Sequence, residues 1–158
     1  MNASLNYSCS FFGHRELKIT KEEVDKLKNE IIRLIEENNC KTFYFGGFGE
    51  FDDLCYDIVC ELKQTYPDIK RVFCLSDARL LDKTKQPKWL REQSYEQIVY
   101  FDLDFSYWYT RIYYRNCEII KRSDYVIFYV DESKGEGGAY KALKFAKKIK
   151  SNYKNVAK

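Results

Sequence analysis

The chain has 158 residues, the length of one domain, and is long enough to bury a core without metal or disulfide support. Its net charge of +3 argues against the broad basic field of a non-specific nucleic-acid binder, so nucleic acid is not the expected partner. The six cysteines contain no Cys-x-x-Cys pair and there is one histidine, so we expect no metal site and no cofactor. The sequence shows no signal peptide and no apolar run long enough to span a bilayer. We therefore expect one cytoplasmic domain with reduced thiols and without a membrane span.

The first strand and the first helix are predicted from a change in apolar periodicity. Leu5 to Phe12 has strand character and ends in the polar loop Gly13-His14-Arg15. Thr20 and Glu23 have the spacing of a capping box. The apolar residues that follow recur on one helical face until Asn38-Asn39, where we expect the helix to end.

The second strand is followed by a glycine-rich loop. Thr42 to Phe45 is predicted to be a strand, and Gly46, Gly47 and Gly49 come directly after it. Apolar positions from Phe51 to Leu62 then predict an amphipathic helix. A loop without side chains lets a ligand approach the backbone, and the N–H groups at the start of a helix favour an anion. This stretch is therefore a candidate site for phosphate.

The middle of the chain is less regular. Arg71 to Leu75 predicts a third strand, and Ile98 to Phe101 a short fourth one. The hydrophobic pattern fails in residues 76–94, which we expect to form a long, mobile connection, either a functional lid or a surface excursion. Residues 95–114 contain nine aromatics. They indicate a helix packed on both faces or a subunit contact, with a stacking wall for a base as the alternative. Such an aromatic excess also favours a homodimer or higher homo-oligomer.

The last third of the chain repeats the strand, glycine loop and helix arrangement. Arg111 to Arg122 predicts a helix, and Tyr125 to Val130 is an apolar run typical of a central strand buried on both faces. A second glycine-rich loop, residues 131–138, precedes a last helix with Ala139 to Ile149 facing inward at helical spacing. Seven lysines in the final eighteen residues are interpreted as the solvated face of this helix and a basic tail, residues 151–158.

Strands that alternate with helices predict a single α/β domain, a Rossmann-like three-layer αβα fold with a mainly parallel open sheet. In such folds ligands bind beyond the C-terminal ends of the strands. The polar or glycine-rich segments 13–15, 46–52 and 131–138 should therefore converge at one edge of the sheet. None of them fits G-x-G-x-x-G or the P-loop pattern, which disfavours an ordinary dinucleotide dehydrogenase or P-loop NTPase.

At these segments the chain resembles the SLOG superfamily, Rossmann-like domains related to Smf DNA-processing proteins and Lonely Guy enzymes. The likeness is greatest to its small stand-alone bacterial and phage members. The segments that carry it are Gly13-His14-Arg15, Gly46-Gly47 with Phe51-Asp52, Arg115-Asn116, and the run 125–130 with Gly135 to Gly138. The resemblance implies a pocket that senses or sequesters a nucleotide or a nucleotide-derived signal, such as an ADP-ribose derivative or a cyclic nucleotide.

The resemblance also implies an enzymatic alternative, hydrolysis or transfer at the N-glycosidic bond of nucleoside monophosphates. In Lonely Guy enzymes the second glycine loop is Pro-Gly-Gly-x-Gly-Thr-x-x-Glu. This chain has Gly135-Glu136-Gly137-Gly138-Ala139-Tyr140-Lys141, without the Pro, the Thr or the final Glu, which weighs against catalysis. A second alternative is single-stranded nucleic-acid binding through the aromatic run and the terminal lysines.

Residue chemistry suggests roles within this pocket. Arg15 and Arg115 have the fork-shaped guanidinium that suits phosphate, with surface ion pairs as the alternative. Asp52 could accept hydrogen bonds from ribose hydroxyls or simply stabilise a helix dipole. His14 is either an acid-base group or a structural hydrogen-bonding residue. The catalytic candidates are Glu50, Asp52 and Glu136. The candidate ligand-binding residues are Gly13, His14, Arg15, Gly46, Gly47, Phe48, Asp52, Arg115, Asn116, Gly135, Glu136, Gly137 and Gly138.

Overall fold

The computed structural model describes residues 7–16, 18–46, 49–102 and 107–157. The strands are β1 (Ser8–Gly13), β2 (Thr42–Phe45), β3 (Lys70–Leu75), β4 (Gln97–Tyr100), β5 (Tyr125–Tyr129) and β6 (Tyr153–Asn155). The helices are α1 (Lys21–Asn38), α2 (Glu50–Lys63), α3 (Lys88–Glu92), α4 (Trp108–Arg122) and α5 (Gly138–Lys148). Within these ranges no helix is long and apolar enough to cross a membrane.

The six strands form one parallel sheet in the order β4-β3-β2-β1-β5-β6. The predicted α/β class and parallel sheet are therefore confirmed. From β1 the chain builds the sheet outward through β2, β3 and β4, and it then returns to place β5 on the other side of β1. The order thus reverses between β1 and β5, whose ends lie level because Gly13 pairs with Tyr129. This reversal marks the place where ligands bind in open α/β sheets.

Helices cover both faces of the sheet because alternate residues of each strand point to opposite sides. On β1, Phe11 packs in the core formed with α1 and α2, whereas Phe12 packs in the core formed with α4 and α5. On β5, Ile127 joins the first core and Phe128 the second. The result is the predicted three-layer αβα arrangement, with β5 as an interior strand between β1 and β6.

Helix α1 confirms the prediction made from the capping box and the apolar pattern that follows it. Its capping box is formed: the Glu23 N–H donates to Thr20 Oγ1 at 3.1 Å, and the Thr20 N–H donates to Glu23 Oε1 at 3.0 Å. Asn39 adopts a left-handed conformation with φ of 55° and closes the helix where it was predicted to end. Helix α4, by contrast, begins at Trp108, three residues earlier than expected.

Residues 76–94 differ from the expected irregular connection. They contain two 3₁₀ turns, Ala78–Leu81 and Lys83–Lys85, followed by α3. The side chains of Asp77 and Asp82 accept the backbone N–H two residues ahead of each, which starts both turns without any apolar periodicity. Leu90 is buried in the core on the α1 and α2 side of the sheet. The segment is therefore anchored to that layer.

The C-terminal segment also differs from the expected basic tail. Residues Tyr153–Asn155 form β6, which pairs with β5 as an edge strand of the sheet. The Asn155 side chain accepts the Val130 N–H at 3.0 Å and donates to the Val130 carbonyl at 2.8 Å, and Val156 is fully buried. Ile149, expected to face the core, is instead exposed just beyond the end of α5.

Candidate ligand-binding site

A cavity of about 370 Å³ opens where the strand order reverses between β1 and β5. We call it the switch-point cavity. It is lined by Phe11, Phe12, Gly13, His14, Arg15, Gly46, Asp52, Ile112, Arg115, Asn116, Gly137, Gly138 and Ala139. The three segments predicted to converge at the C-terminal edge of the sheet all contribute to this lining. The predicted residues Gly47 and Phe48 lie outside the described residues, and Gly135 and Glu136 are not part of the lining described.

Gly13 ends β1 and lets helix α2 approach the sheet. A Cβ atom at this position would overlap the ring of Phe51, which is fully buried at the start of α2. The Phe51 ring in turn stacks on Tyr129, at the end of the neighbouring strand β5, with 5.9 Å between ring centroids. Packing of α2 against β1 therefore accounts for the glycine at position 13.

His14 joins the loops that follow β1 and β5. Its Nε2 accepts a hydrogen bond from the Asp131 N–H at 2.8 Å, and its own backbone N–H donates to the Tyr129 carbonyl at 3.3 Å. Burial, reinforced by the positive charge of Lys134, lowers the pKa of the imidazole below its ordinary value of 6.5. His14 Nε2 therefore acts as a hydrogen-bond acceptor that joins the two loops, in line with the second of the two roles expected for it.

Arg15 contributes to the site through its backbone and its position. Its carbonyl accepts the N–H of Glu50, the first residue of α2, at 2.9 Å. Gly49 sits against it with φ of 99°, and a Cβ there would come within 2.6 Å of the Arg15 Cα atom. One of the N–H groups at the start of α2, where an anion was expected to bind, is therefore already bonded to the protein backbone. The Arg15 side chain is exposed and lines the mouth of the cavity.

Arg115 forms part of the cavity wall and is only 3% exposed. Its Nη1 donates to the carbonyls of Gly46 and Cys74, both at 3.2 Å, at the ends of β2 and β3. Its Nε and Nη2 donate to Asn116 Oδ1 at 3.3 and 2.9 Å. A Cβ on Gly46 would lie 2.7 Å from Arg115 Nη2, so this glycine makes room for the guanidinium. Arg115 therefore ties helix α4 to two strand ends.

Asp52 is the buried carboxylate of the site. It lies in the first turn of α2, is 9% exposed and lines the switch-point cavity. Burial lowers the pKa of the Arg115 guanidinium, and the nearby Asp52 carboxylate partly offsets this change. The other two carboxylate candidates, Glu50 and Glu136, are exposed and do not belong to the lining described.

The second glycine loop borders the cavity from the β5 side. Asp131 Oδ1 accepts the Ser133 N–H at 3.1 Å and its hydroxyl at 2.6 Å, which starts a turn at Glu132–Lys134. Gly137 caps α5 with φ of 98°, a conformation that favours glycine. A Cβ on Gly137 or on Gly138 would meet no atom within 4 Å. The loop thus presents open space at the start of α5.

A second cavity, of about 1000 Å³, lies between α4 and α5. We call it the α4–α5 groove. Its lining is Arg15, Tyr109, Thr110, Ile112, Tyr113, Tyr114, Asn116, Cys117, Lys121, Gly138, Lys141, Lys144, Phe145 and Lys148. Sequence reasoning missed this groove because it treated the lysines of α5 as a solvated face. The usable signal was their spacing, since residues 141, 144 and 148 recur on one side of a helix.

The aromatic cluster of residues 95–114 divides between core and surface. Tyr95 packs against Phe73 in the core, with 5.1 Å between ring centroids. Tyr109 and Tyr113 instead line the α4–α5 groove. Tyr107 is 65% exposed and stacks on Tyr109 at 5.6 Å between centroids. The prediction of a helix packed on both faces is therefore wrong for α4, which leaves Tyr109 and Tyr114 exposed, and the stacking wall for a base stays a prediction.

Fold and site together define a class of protein: a Rossmann-like three-layer α/β domain with a cavity at the reversal point of its sheet. The sequence matches no protein-family model, and no curated protein is significantly similar to it. Among the described residues no group of three or more His, Cys, Asp or Glu side chains could hold a metal ion.

Proposed function

We propose that this protein binds a nucleotide or a nucleotide-derived signal in the switch-point cavity, and that it senses or sequesters this ligand. The observation that carries the proposal is the meeting of three separate loops around one cavity at the point where the strand order reverses. Its volume of about 370 Å³ falls in the range of small-molecule sites, roughly 300–1,000 Å³. The resemblance to the SLOG superfamily supports the same ligand class.

The lining suggests how such a ligand would be held. The exposed Arg15 guanidinium at the cavity mouth can donate two parallel hydrogen bonds to a phosphate. Asp52 can accept hydrogen bonds from ribose hydroxyls, as acidic residues do in related folds. The buried Arg115 adds positive charge behind the cavity, while its own hydrogen bonds to Gly46 and Cys74 keep it in place. Phosphate recognition is thus assigned first to Arg15.

The test uses a variant that fills the cavity. Gly138 lines it, has open space around its Cβ position, and has no positive φ, so Gly138→Leu should fold normally and obstruct the ligand. Asn29→Leu places the same side chain on an exposed position of α1, across the sheet, as a matched control. Isothermal titration would use nucleoside monophosphates, ADP-ribose, cyclic ADP-ribose isomers and cyclic dinucleotides.

We expect one of these ligands to bind, and Gly138→Leu to weaken its affinity by at least about tenfold, or about 1.4 kcal/mol. The control variant should bind like the wild type, and neither variant should unfold at a lower temperature than the wild type. The proposal fails if no ligand in the panel binds, or if Gly138→Leu binds as tightly as the wild type.

A buried carboxylate in the cavity wall supports a second candidate, hydrolysis or transfer at an N-glycosidic bond. Of the three carboxylate candidates, Asp52 is the one that lines the cavity and would lie beside a ribose bound there. Incubation with nucleoside monophosphates followed by chromatography would show release of the free base. Asp52→Asn should abolish that release. Intact substrates at high protein concentration would reject this candidate.

We further propose a cytoplasmic homo-oligomer, the assembly suggested by the stacked and exposed rings of Tyr107 and Tyr109. Sedimentation velocity measures its mass directly. Substitution of both tyrosines by serine should shift the protein toward the 19.0 kDa monomer. A wild-type protein that sediments as a monomer at high concentration would contradict the proposal.

A further inference from the structure

We propose that the ligand is an extended dinucleotide with more than one phosphate, whose second half lies in the α4–α5 groove. This inference rests on the proposed function, because it assumes that the first half occupies the switch-point cavity. Three observations support it: the two cavities share walls, the groove is lined by cations, and the groove also offers aromatic rings.

The switch-point cavity and the α4–α5 groove are neighbours that share part of their walls. Arg15, Ile112, Asn116 and Gly138 line both of them. Gly138 stands at the junction without a side chain, and a Cβ there would meet no atom within 4 Å. A ligand bound beside the ends of β1 and β5 can therefore extend past the start of α5 into the groove.

The groove carries positive charge along its length. Each charged residue in its described lining is an arginine or a lysine. Lys141, Lys144 and Lys148 are exposed on one side of α5, and the first and last are separated by about 10 Å at 1.5 Å rise per residue. Lys121 lines the groove from α4, and its charge is partly offset by an ion pair with Glu118 at 3.1 Å. This row of cations matches a ligand with further phosphates beyond the first.

Aromatic side chains in the groove suit a second base. Tyr109, Tyr113 and Tyr114 come from α4, and the half-buried Phe145 comes from α5. Aromatic faces beside lysines are the usual means of holding a base and its phosphate without sequence-specific hydrogen bonds. From Gly138 to Lys148 the groove follows α5 for about 15 Å. That length, which ends at the switch-point cavity, fits two nucleotides better than a long strand crossing the surface.

The experiment compares ligands of increasing length by isothermal titration. The probes are the four nucleoside 5′-monophosphates, the matching linear dinucleotides with a 5′-phosphate, their cyclic dinucleotides, and a twelve-residue single-stranded DNA. The test variant is Lys141→Gln with Lys144→Gln. The matched control is Lys21→Gln with Lys26→Gln, two exposed lysines of α1 on the opposite face of the sheet.

We expect a linear or cyclic dinucleotide to bind at least about tenfold more tightly than its mononucleotide. The Lys141 and Lys144 double variant should lose this advantage while its mononucleotide affinity stays within about twofold, and the control should behave like the wild type. The advantage should also shrink at high salt.

Other outcomes separate the two proposals. If mononucleotides bind and dinucleotides bind no more tightly, or if the double variant keeps the advantage, the extended ligand is overturned and the switch-point site stands. If the DNA binds more tightly than any dinucleotide, the groove is a nucleic-acid surface and the inference is overturned. If no mononucleotide and no dinucleotide binds, this inference is overturned, and the proposed function is then decided by the titrations with ADP-ribose and cyclic ADP-ribose isomers described above.

Discussion

Replacement of Arg115 by methionine should destabilise the protein more than any surface substitution. The guanidinium is almost fully buried and donates to the carbonyl oxygens of Gly46 and Cys74 and to Asn116 Oδ1. Methionine fills similar volume without any donor. The two carbonyls at the ends of β2 and β3 would then lose their partner inside a wall of the cavity.

The magnitude follows from the groups left behind. A buried polar group without its partner costs about 1–3 kcal/mol, and two carbonyls and one amide oxygen are affected. Some of this is recovered because the charged guanidinium no longer has to be buried, an effect that already lowers its pKa. We therefore expect a loss of about 3–5 kcal/mol in unfolding free energy, the usual range when a buried charge network loses one member. Arg115→Lys, which keeps the charge but not the fork, should lose about half as much.

Urea unfolding followed by circular dichroism measures this difference at pH 7. Arg91→Ala, at an exposed position of α3, is the matched control and should change the unfolding free energy by less than about 0.5 kcal/mol. The slope of the transition should stay constant if the denatured state is unaffected. A loss below about 1 kcal/mol for Arg115→Met would refute the reasoning, since the network would then contribute no more than a surface contact.

Three further predictions test smaller features. Folding lowers the pKa of His14, so its contribution to stability is fully present above the ordinary value of 6.5 and is lost as the pH falls from there through the lower pKa of the folded protein. His14→Gln should remove this dependence, and an NMR pKa above 6.5 for this single histidine would contradict it. Asn155→Ala removes both hydrogen bonds to the Val130 backbone and should lower the unfolding free energy by about 2 kcal/mol, with an unchanged value counting against a structural β6. Gly137→Ala should lower the unfolding free energy by about 1–2 kcal/mol because residue 137 has a φ of 98°, whereas Gly138→Ala should raise it by about 0.5 kcal/mol. Equal effects of the two substitutions in thermal unfolding would contradict this difference in backbone conformation.

The elements that could be predicted from the sequence are those in which local and global signals agree. Helix α1 has a capping box, a single apolar face and a left-handed Asn39 at its end, all encoded within one segment. Strand β5 is an unbroken apolar run because helices cover both sides of it. Once strands and helices alternate, the parallel sheet follows from the need for crossover helices, and the loops must gather at one edge. The position of the candidate site was predictable for that reason.

The features that escaped prediction depend on partners far apart in the chain. Residues Tyr153–Asn155 have no strand pattern of their own, and they become β6 because β5 offers free edge groups and Asn155 bonds to Val130. The role of Arg115 depends on carbonyls that lie 69 and 41 residues away. The α4–α5 groove requires the packing of two helices separated by a strand. No periodicity within one segment carries such information.

The glycines of the site show why a glycine-rich loop alone is a weak sign of ligand binding. Gly13 makes room for Phe51, and Gly46 makes room for Arg115, so the protein's own packing explains both. Gly138 differs from the other described glycines, because it has neither a close neighbour at its Cβ position nor a positive φ. A larger residue at position 138 would strengthen the helix, yet the sequence keeps open space at the junction of the two cavities. In the proposed function this space receives the bound molecule, and Gly138→Leu is therefore the most direct test of the proposed site.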